Sequence, residues 1–99
     1  MANIYGNFSA KSITETCVNV PSNTWTALPT TAMGDRNYVR IYNKGEYKLY
    51  LSFDSSAAVQ HRMAIAGGDM IDFPIQDTLT LYGRSGGTGS VRVIIQEFK

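Results

Sequence analysis

The sequence predicts an all-β protein, a single small antiparallel β-sandwich or jelly-roll-like barrel of about seven to eight short strands. Three observations lead to this prediction. Apolar and polar residues alternate with a period of two in several runs, glycine and proline separate these runs at intervals of about 8 to 12 residues, and no segment shows a sustained helical stripe. With 99 residues, of which 43% are hydrophobic, the chain can bury one modest core.

The amino-terminal half begins with two predicted strands, at 13–20 and 24–28. Both runs are rich in threonine, valine and tryptophan, and they stop at Pro21 and Pro29. Trp25 lies in an alternating run, which favours a core position. The preceding residues, 1–12, form a polar arm that we expect to be extended or ordered by a partner.

The clearest alternation lies in the centre of the chain, in the runs 38–43 and 49–53. The residues predicted to point inward are Val39, Ile41, Leu49, Leu51 and Phe53. The Asn-Lys-Gly-Glu segment at 43–46 joins the two runs and tolerates positive φ angles. These runs are therefore predicted to form a hairpin.

The carboxyl-terminal half predicts strands at 69–73, 78–82 and 90–98. In the last two runs the residues predicted to point inward are Leu79, Leu81, Val91, Val93 and Ile95. The glycine-rich segment 83–89 between them predicts a loop. The segment 55–66 could form a turn or two of helix, or a loop and a short strand with Val59, His61 and Met63 on one face, and we favour the loop and strand. Residues 13–99 are thus expected to form a single sandwich domain.

Composition narrows the classes of partner. Nine basic and eight acidic residues give a net charge of +1, which predicts no nucleic-acid partner and no membrane-surface partner. Cys17 is the only cysteine, so an intramolecular disulfide is excluded. The amino terminus has neither a basic start nor an apolar run, and no apolar stretch approaches the roughly 20 residues of a membrane helix. We expect synthesis in a reducing cytoplasm.

No set of residues with the spacing of a catalytic or metal site can be found in the sequence. The single histidine, His61, and the single cysteine, Cys17, lack the partners that a nucleophile, a base or a zinc site requires. Asp69 and Asp72 are three residues apart, which places them on opposite faces of a strand. The loop 83–89 lacks the lysine and the helix of a phosphate-binding loop. We therefore expect no enzymatic activity, no cofactor and no metal.

Tyrosines on the polar faces of the predicted strands provide the candidate binding residues. Tyr38, Arg40 and Tyr42 share one face of a strand, and Tyr50 lies on the polar face of the next. Tyrosine with interspersed arginine is typical of the core of a protein–protein interface, although tyrosines can also stack on bases or sugars. We favour the interface, and the candidate interface residues are Tyr38, Arg40, Tyr42, Tyr50, Ile4 and Tyr5.

Several segments resemble small β-sandwich proteins from the virions of tailed bacteriophages. The resemblance covers about residues 20–98 and consists of a Trp-Thr-Ala-Leu strand, a Val-Arg-Ile strand followed by a turn, and a closing Val-Arg-Val strand. The segments that carry it are 24–29, 36–43, 49–54, 80–83 and 91–93. Proteins of this kind are capsid decoration (cement) proteins or components of the head–tail connection or tail.

The resemblance implies a structural role in the virion, with the major capsid protein or other virion proteins as partners. The chain is then expected to form a homo-oligomer, a trimer or a dimer, at a symmetry axis of the capsid. Two alternatives remain open. One is a small tail, head–tail adaptor or fibre component, and the other is a carbohydrate-binding module used for attachment to the host surface, with Trp25 and the tyrosines as stacking residues.

Overall fold

The computed structural model describes residues 12–56 and 63–99, which form two antiparallel sheets of four strands each. The strands are β1 (Ile13–Val20), β2 (Thr26–Ala27), β3 (Tyr38–Asn43), β4 (Leu49–Ser52), β5 (Met63–Ile65), β6 (Met70–Phe73), β7 (Tyr82–Ser85) and β8 (Val91–Phe98). The described residues contain no helix. The all-β sandwich predicted from the alternating runs is confirmed.

The order of the strands is that of a jelly roll. The first sheet has the order β1-β8-β3-β6 and the second sheet has the order β2-β7-β4-β5. Strand β1 therefore pairs with β8, β2 with β7, β3 with β6, and β4 with β5. The chain thus resembles one long hairpin, with β4 and β5 at its tip, that is wound into two layers.

The core lies between the inner faces of the two sheets. Its buried members are Val20, Leu28, Val39, Ile41, Leu49, Leu51, Ile65, Ile75, Leu81, Val91, Val93 and Ile95. Strands β3, β4 and β8 contribute alternate residues to this core, as a period of two requires. The inward positions predicted for the runs 38–43 and 90–98 are confirmed.

The predicted hairpin between β3 and β4 is wrong, because the two strands belong to different sheets. Asn43, at the end of β3, is completely buried. Its amide nitrogen donates to the carbonyl oxygens of Tyr47 at 2.8 Å and Ile65 at 3.1 Å, and its amide oxygen accepts from the Gly45 N–H at 3.0 Å. These bonds direct the chain across to the second sheet instead of back along β3.

The predicted boundary between strand and loop near residue 83 is also wrong. Strand β7 runs through Gly83 to Ser85, whereas the residues before Tyr82 form a turn in which Leu79 is 45% exposed. Gly83 points inward, where an added Cβ would lie 2.6 Å from Leu28 Cδ1 and 3.2 Å from Leu49 Cδ1. Glycine therefore stands in the strand because the two leucines fill the space of its side chain.

Two further side chains differ from the prediction. Strand β4 ends at Ser52, so Phe53 lies outside the sheet and is 47% exposed. Its ring meets the ring of Phe73 edge-on, with the two ring centroids 6.3 Å apart. Trp25 is half-buried rather than a core residue. The short strand predicted within 55–66 corresponds to β5, while Val59 and His61 lie outside the described residues.

The glycines after β7 pack beneath a tyrosine. A Cβ added to Gly87 would overlap the ring of Tyr47, whereas nothing lies within 4 Å of the corresponding position at Gly34. We expect Gly87→Ala to lower the free energy of unfolding by about 1 to 3 kcal/mol, because the ring must move. Gly34→Ala, the matched control, is expected to change it by less than about 1 kcal/mol. Urea denaturation measures both, and equal effects would contradict the contact with Tyr47.

Candidate protein-binding surface

The outer face of the first sheet carries three of the candidate interface residues. Tyr38, Arg40 and Tyr42 are half-buried on β3 and alternate with the fully buried Val39 and Ile41. Because successive side chains of a strand point to opposite faces, these three point away from the core. The face shared by Tyr38, Arg40 and Tyr42 in the sequence is therefore present in the fold.

The strand register extends this face into two rows that cross all four strands of the first sheet. The apolar row consists of Cys17, Ile94, Tyr42 and Met70. The polar row, directly beside it, consists of Glu15, Gln96, Arg40 and Asp72. Residues distant in sequence thus form one surface, about 14 Å wide across four strands spaced at about 4.8 Å.

Hydrogen bonds hold the side chains of the polar row in place. The Gln96 amide donates to the Glu15 carboxylate at 2.8 Å, and the Tyr38 hydroxyl donates to the Asp72 carboxylate at 2.8 Å. The Arg40 guanidinium lies 3.6 Å from the Asp72 carboxylate and 3.5 Å from the Gln96 amide oxygen. A partner that docks here meets polar groups already arranged by one another, so less side-chain entropy is lost on binding.

Aromatic contacts support the same face. The Tyr38 and Phe98 rings meet edge-on with their centroids 5.9 Å apart, and the Arg40 guanidinium lies 5.6 Å from the Phe98 ring centroid. Phe98 is 6% exposed. Arg40 is therefore positioned by a ring on one side and by a carboxylate on the other.

An open depression of about 350 Å³ lies over the two rows. Its lining residues are Glu15, Arg40, Tyr42, Met70, Ile94 and Gln96. Met70 borders it on the edge strand β6 and is 58% exposed. Arginine, tyrosine and methionine are enriched in protein–protein interfaces, so the composition of the lining suits a protein partner.

The other candidate interface residues do not join this surface. Tyr50 lies on β4, where it alternates with the buried Leu49 and Leu51 and therefore points outward from the second sheet. Ile4 and Tyr5 lie outside the described residues. The set predicted from the sequence is thus divided between opposite faces of the sandwich, and Tyr38, Arg40 and Tyr42 remain together.

The residues considered for chemistry lie apart from one another. Cys17 is exposed on β1, and Asp72 faces Arg40 on the outer side of β6. Asp69 precedes that strand, and His61 lies outside the described residues. In the ranges 12–56 and 63–99, no three His, Cys, Asp or Glu side chains converge as a metal site would require.

Asp54 has a shifted pKa for a local reason. The backbone N–H and the hydroxyl of Ser56 both donate to its carboxylate at 2.9 Å, and these bonds lower the pKa of Asp54 below its ordinary value. Hydrogen bonds to a carboxylate favour its charged form. The carboxylate therefore closes the turn after β4 and stays ionised at neutral pH.

Sequence reasoning missed the residues that complete the surface. Ile94, Gln96 and Glu15 come from β8 and β1, and Met70 comes from β6. Alternation alone could have placed Ile94, Gln96 and Glu15 on outer faces, because each stands between inward-facing residues. Which strands lie side by side could not be read from one strand at a time.

Comparison of the chain with protein-family models and with curated protein sequences finds no match. In the described part of the chain, no helix has the length and apolar character needed to cross a membrane.

Proposed function

We propose that this protein is a non-enzymatic structural component of a tailed-bacteriophage virion, a capsid decoration (cement) protein that binds and stabilises the lattice of the major capsid protein. The outer face of the first sheet carries the proposal. It presents arginine, tyrosine and methionine side chains on a rigid four-stranded support, and its polar row is arranged before any partner arrives.

The fold class is compatible with this role. Jelly rolls occur in viral capsid domains and in lectins, although a fold by itself does not determine function. The sequence resemblance to virion sandwich proteins points in the same direction. A disulfide-free sandwich also suits a protein that is made in the host cytoplasm and then assembled onto a particle.

The apolar row provides the contact that would hold a capsid subunit. Met70 is 58% exposed and lies on one side of Tyr42. Ile94 is half-buried and lies on the other side of Tyr42. Burial of these side chains by a partner contributes about 25 cal/mol for each Å² of apolar surface removed from water. The neighbouring polar row then fixes the orientation of the partner through Arg40 and Gln96.

The proposal is tested with Met70→Glu and with expanded capsids that lack decoration. The wild-type protein is expected to bind such capsids saturably and stoichiometrically. In Met70→Glu, a charge would be buried without a partner at the interface, so we expect at least a tenfold weaker affinity, or about 1.4 kcal/mol. Co-sedimentation with the capsids measures the bound fraction.

Leu79→Glu is the matched control. Leu79 is also exposed, at 45%, but it lies in the turn before β7 and outside both rows. Its variant is expected to bind as the wild type does. Failure of the wild-type protein to bind capsids at micromolar concentration would reject the cement role, and equal weakening in both variants would reject this face. Immunogold labelling of virions distinguishes a head position from a tail adaptor or fibre position.

A carbohydrate-binding function is the second candidate, and the depression over the two rows favours it. The depression joins an aromatic ring, Tyr42, to hydrogen-bonding groups of Glu15, Arg40 and Gln96. An aromatic ring with convergent polar groups suits a sugar. Trp25, which the sequence offered as a stacking residue for a carbohydrate, is not among the residues that line the depression. Titration with host polysaccharide, followed by NMR, is expected to shift amide signals around Tyr42 if this function holds, and unchanged spectra would reject it.

A further inference from the structure

Strand β1 differs from the other strands at the edges of the two sheets. The edges of the described sheets are β1, β6, β2 and β5. Strands β6, β2 and β5 contain four, two and three residues, whereas β1 contains eight. Short edge strands offer few free backbone groups to another chain, and a long one offers a template for pairing.

The sequence of β1 also lacks the features that block an edge. Ile13–Val20 reads Ile-Thr-Glu-Thr-Cys-Val-Asn-Val and contains no proline and no lysine. Glu15 is its one charged residue, and threonine and valine give it high β-propensity. Natural sheets block exposed edges with proline, lysine, bulges or short strands. A long edge without these features can pair with a strand of another chain.

The backbone groups that face away from β8 can be identified. Ser12 and Lys99 exchange two N–H···O bonds, each at 3.0 Å. In an antiparallel ladder such pairs recur at every second residue, so even-numbered residues of β1 bond to β8. The N–H and C=O groups of Ile13, Glu15, Cys17 and Asn19 therefore point to the other side, where no strand of the described residues lies.

We propose that β1 pairs antiparallel with β1 of a second copy of this chain, about a two-fold axis at Cys17. Cys17 then lies opposite Cys17 of the second copy, and Glu15 lies opposite Asn19 of the second copy. The two first sheets join into one sheet of eight strands. Such a symmetric contact uses the same strand on both copies, as a two-fold interface requires.

Two features select this register. A two-fold axis normal to the sheet pairs residues whose side chains point to the same face of the sheet. Odd-numbered residues of β1 therefore lie opposite odd-numbered residues of the second copy. Pairing centred on Glu15 would oppose two carboxylates. When the pairing is centred on Cys17, Glu15 lies opposite Asn19 of the second copy. Arg92 of the second copy is exposed and lies beside that Asn19 on the neighbouring strand, so Glu15 approaches a positive charge instead.

The pairing would also extend the candidate surface. The apolar row ends at Cys17 on β1, so a second copy continues it through its own Cys17, Ile94, Tyr42 and Met70. One continuous apolar row would then cross eight strands. A dimer could in this way contact two neighbouring subunits of a lattice, but the pairing itself does not depend on the virion role.

Sedimentation velocity on the full chain tests the proposal. The wild-type protein is expected to be a dimer at about 100 µM. In Cys17→Pro the outward N–H is lost while the bonds to β8 remain, because proline is tolerated where its N–H side faces solvent. We expect at least a tenfold weaker dimer for this variant and an unchanged dimer for Cys17→Ala. A monomeric wild-type chain, or a dimer that survives Cys17→Pro, would overturn the proposal.

A charge exchange keeps the test decisive if Cys17→Pro does not fold. Arg92→Glu brings two carboxylates together across the interface, so we expect at least a tenfold weaker dimer. The double variant Glu15→Arg with Arg92→Glu is expected to restore dimerisation. A double variant as weak as the single one would reject this register.

Oxidation of the thiol tests the register independently. The two Cys17 residues would form a hydrogen-bonded pair of the antiparallel ladder, in which the Cα atoms lie about 5.5 Å apart, and this spacing suits a disulfide. Oxidised glutathione is therefore expected to link two wild-type chains through Cys17. A Cys17→Ser chain that carries Asn19→Cys is expected to link much more slowly, and equal rates would indicate random collision and contradict the pairing.

Discussion

Arg36→Met is expected to lower the free energy of unfolding by about 3 to 5 kcal/mol, because it leaves a buried carboxylate without its cation. The Arg36 guanidinium lies 2.8 Å from the Glu97 carboxylate, and both side chains are almost completely buried. Arg36 also donates to the carbonyl oxygens of Gln76 and Leu79. The pair thus fixes the turn before β7 to the end of β8. Equilibrium unfolding in urea measures the loss.

Two controls separate the buried pair from a general effect of charge. The double variant Arg36→Met with Glu97→Gln is expected to be more stable than the single variant, since no buried charge is left uncompensated. Asp72→Asn, at the partly exposed pair with Arg40, is expected to cost about 1 kcal/mol or less. A loss below about 1 kcal/mol for Arg36→Met would contradict the importance of the buried pair.

Local sequence was sufficient to predict the strands whose two faces differ in polarity. In β3 and β8, the buried aliphatic residues Val39, Ile41, Val91, Val93 and Ile95 alternate with residues that, apart from Ile94, are polar or aromatic. The hydrophobic effect requires the aliphatic side of such a strand to face the core, so the pattern determines both the strand and its orientation. The face that carries Tyr38, Arg40 and Tyr42 followed from this argument.

The assignment of strands to sheets could not be predicted in the same way. The segment after Asn43 has the composition of a hairpin turn, but the buried Asn43 amide bonds to Tyr47 and Ile65 and directs the chain into the second sheet. Tyr50 consequently lies on the opposite side of the molecule from Tyr42. The two alternatives have the same local sequence, and the bond from Asn43 to Ile65, a residue 22 positions away, could not be predicted from it.

The buried charged residues could not be predicted from local sequence either. Glu97 stands at an inward position of β8, where a carboxylate is unfavourable unless it is compensated. Its partners are Arg36, the backbone N–H of Met33 and the Thr14 hydroxyl. These partners come from distant parts of the chain, so the residues next to Glu97 could not indicate them.

Leu51→Ala is expected to lower the free energy of unfolding by about 2 to 5 kcal/mol. Leu51 is 1% exposed in the middle of β4, and it belongs to the cluster between the two sheets. Truncation removes buried methyl groups and leaves a cavity that the neighbouring side chains fill only in part. Thermal or urea unfolding of the purified variant measures the effect.

Ser52→Ala is the matched control on the next residue. Ser52 is half-buried on the outer face of the same strand, where its hydroxyl accepts from the Asp54 N–H at 3.0 Å. Loss of this bond is expected to cost about 1 kcal/mol or less. Because Leu51 supports the second sheet and the proposed partner meets the first, folded Leu51→Ala protein is expected to keep its affinity for capsids. Equal and small stability losses in both variants would show that the inner and outer faces of β4 were wrongly assigned.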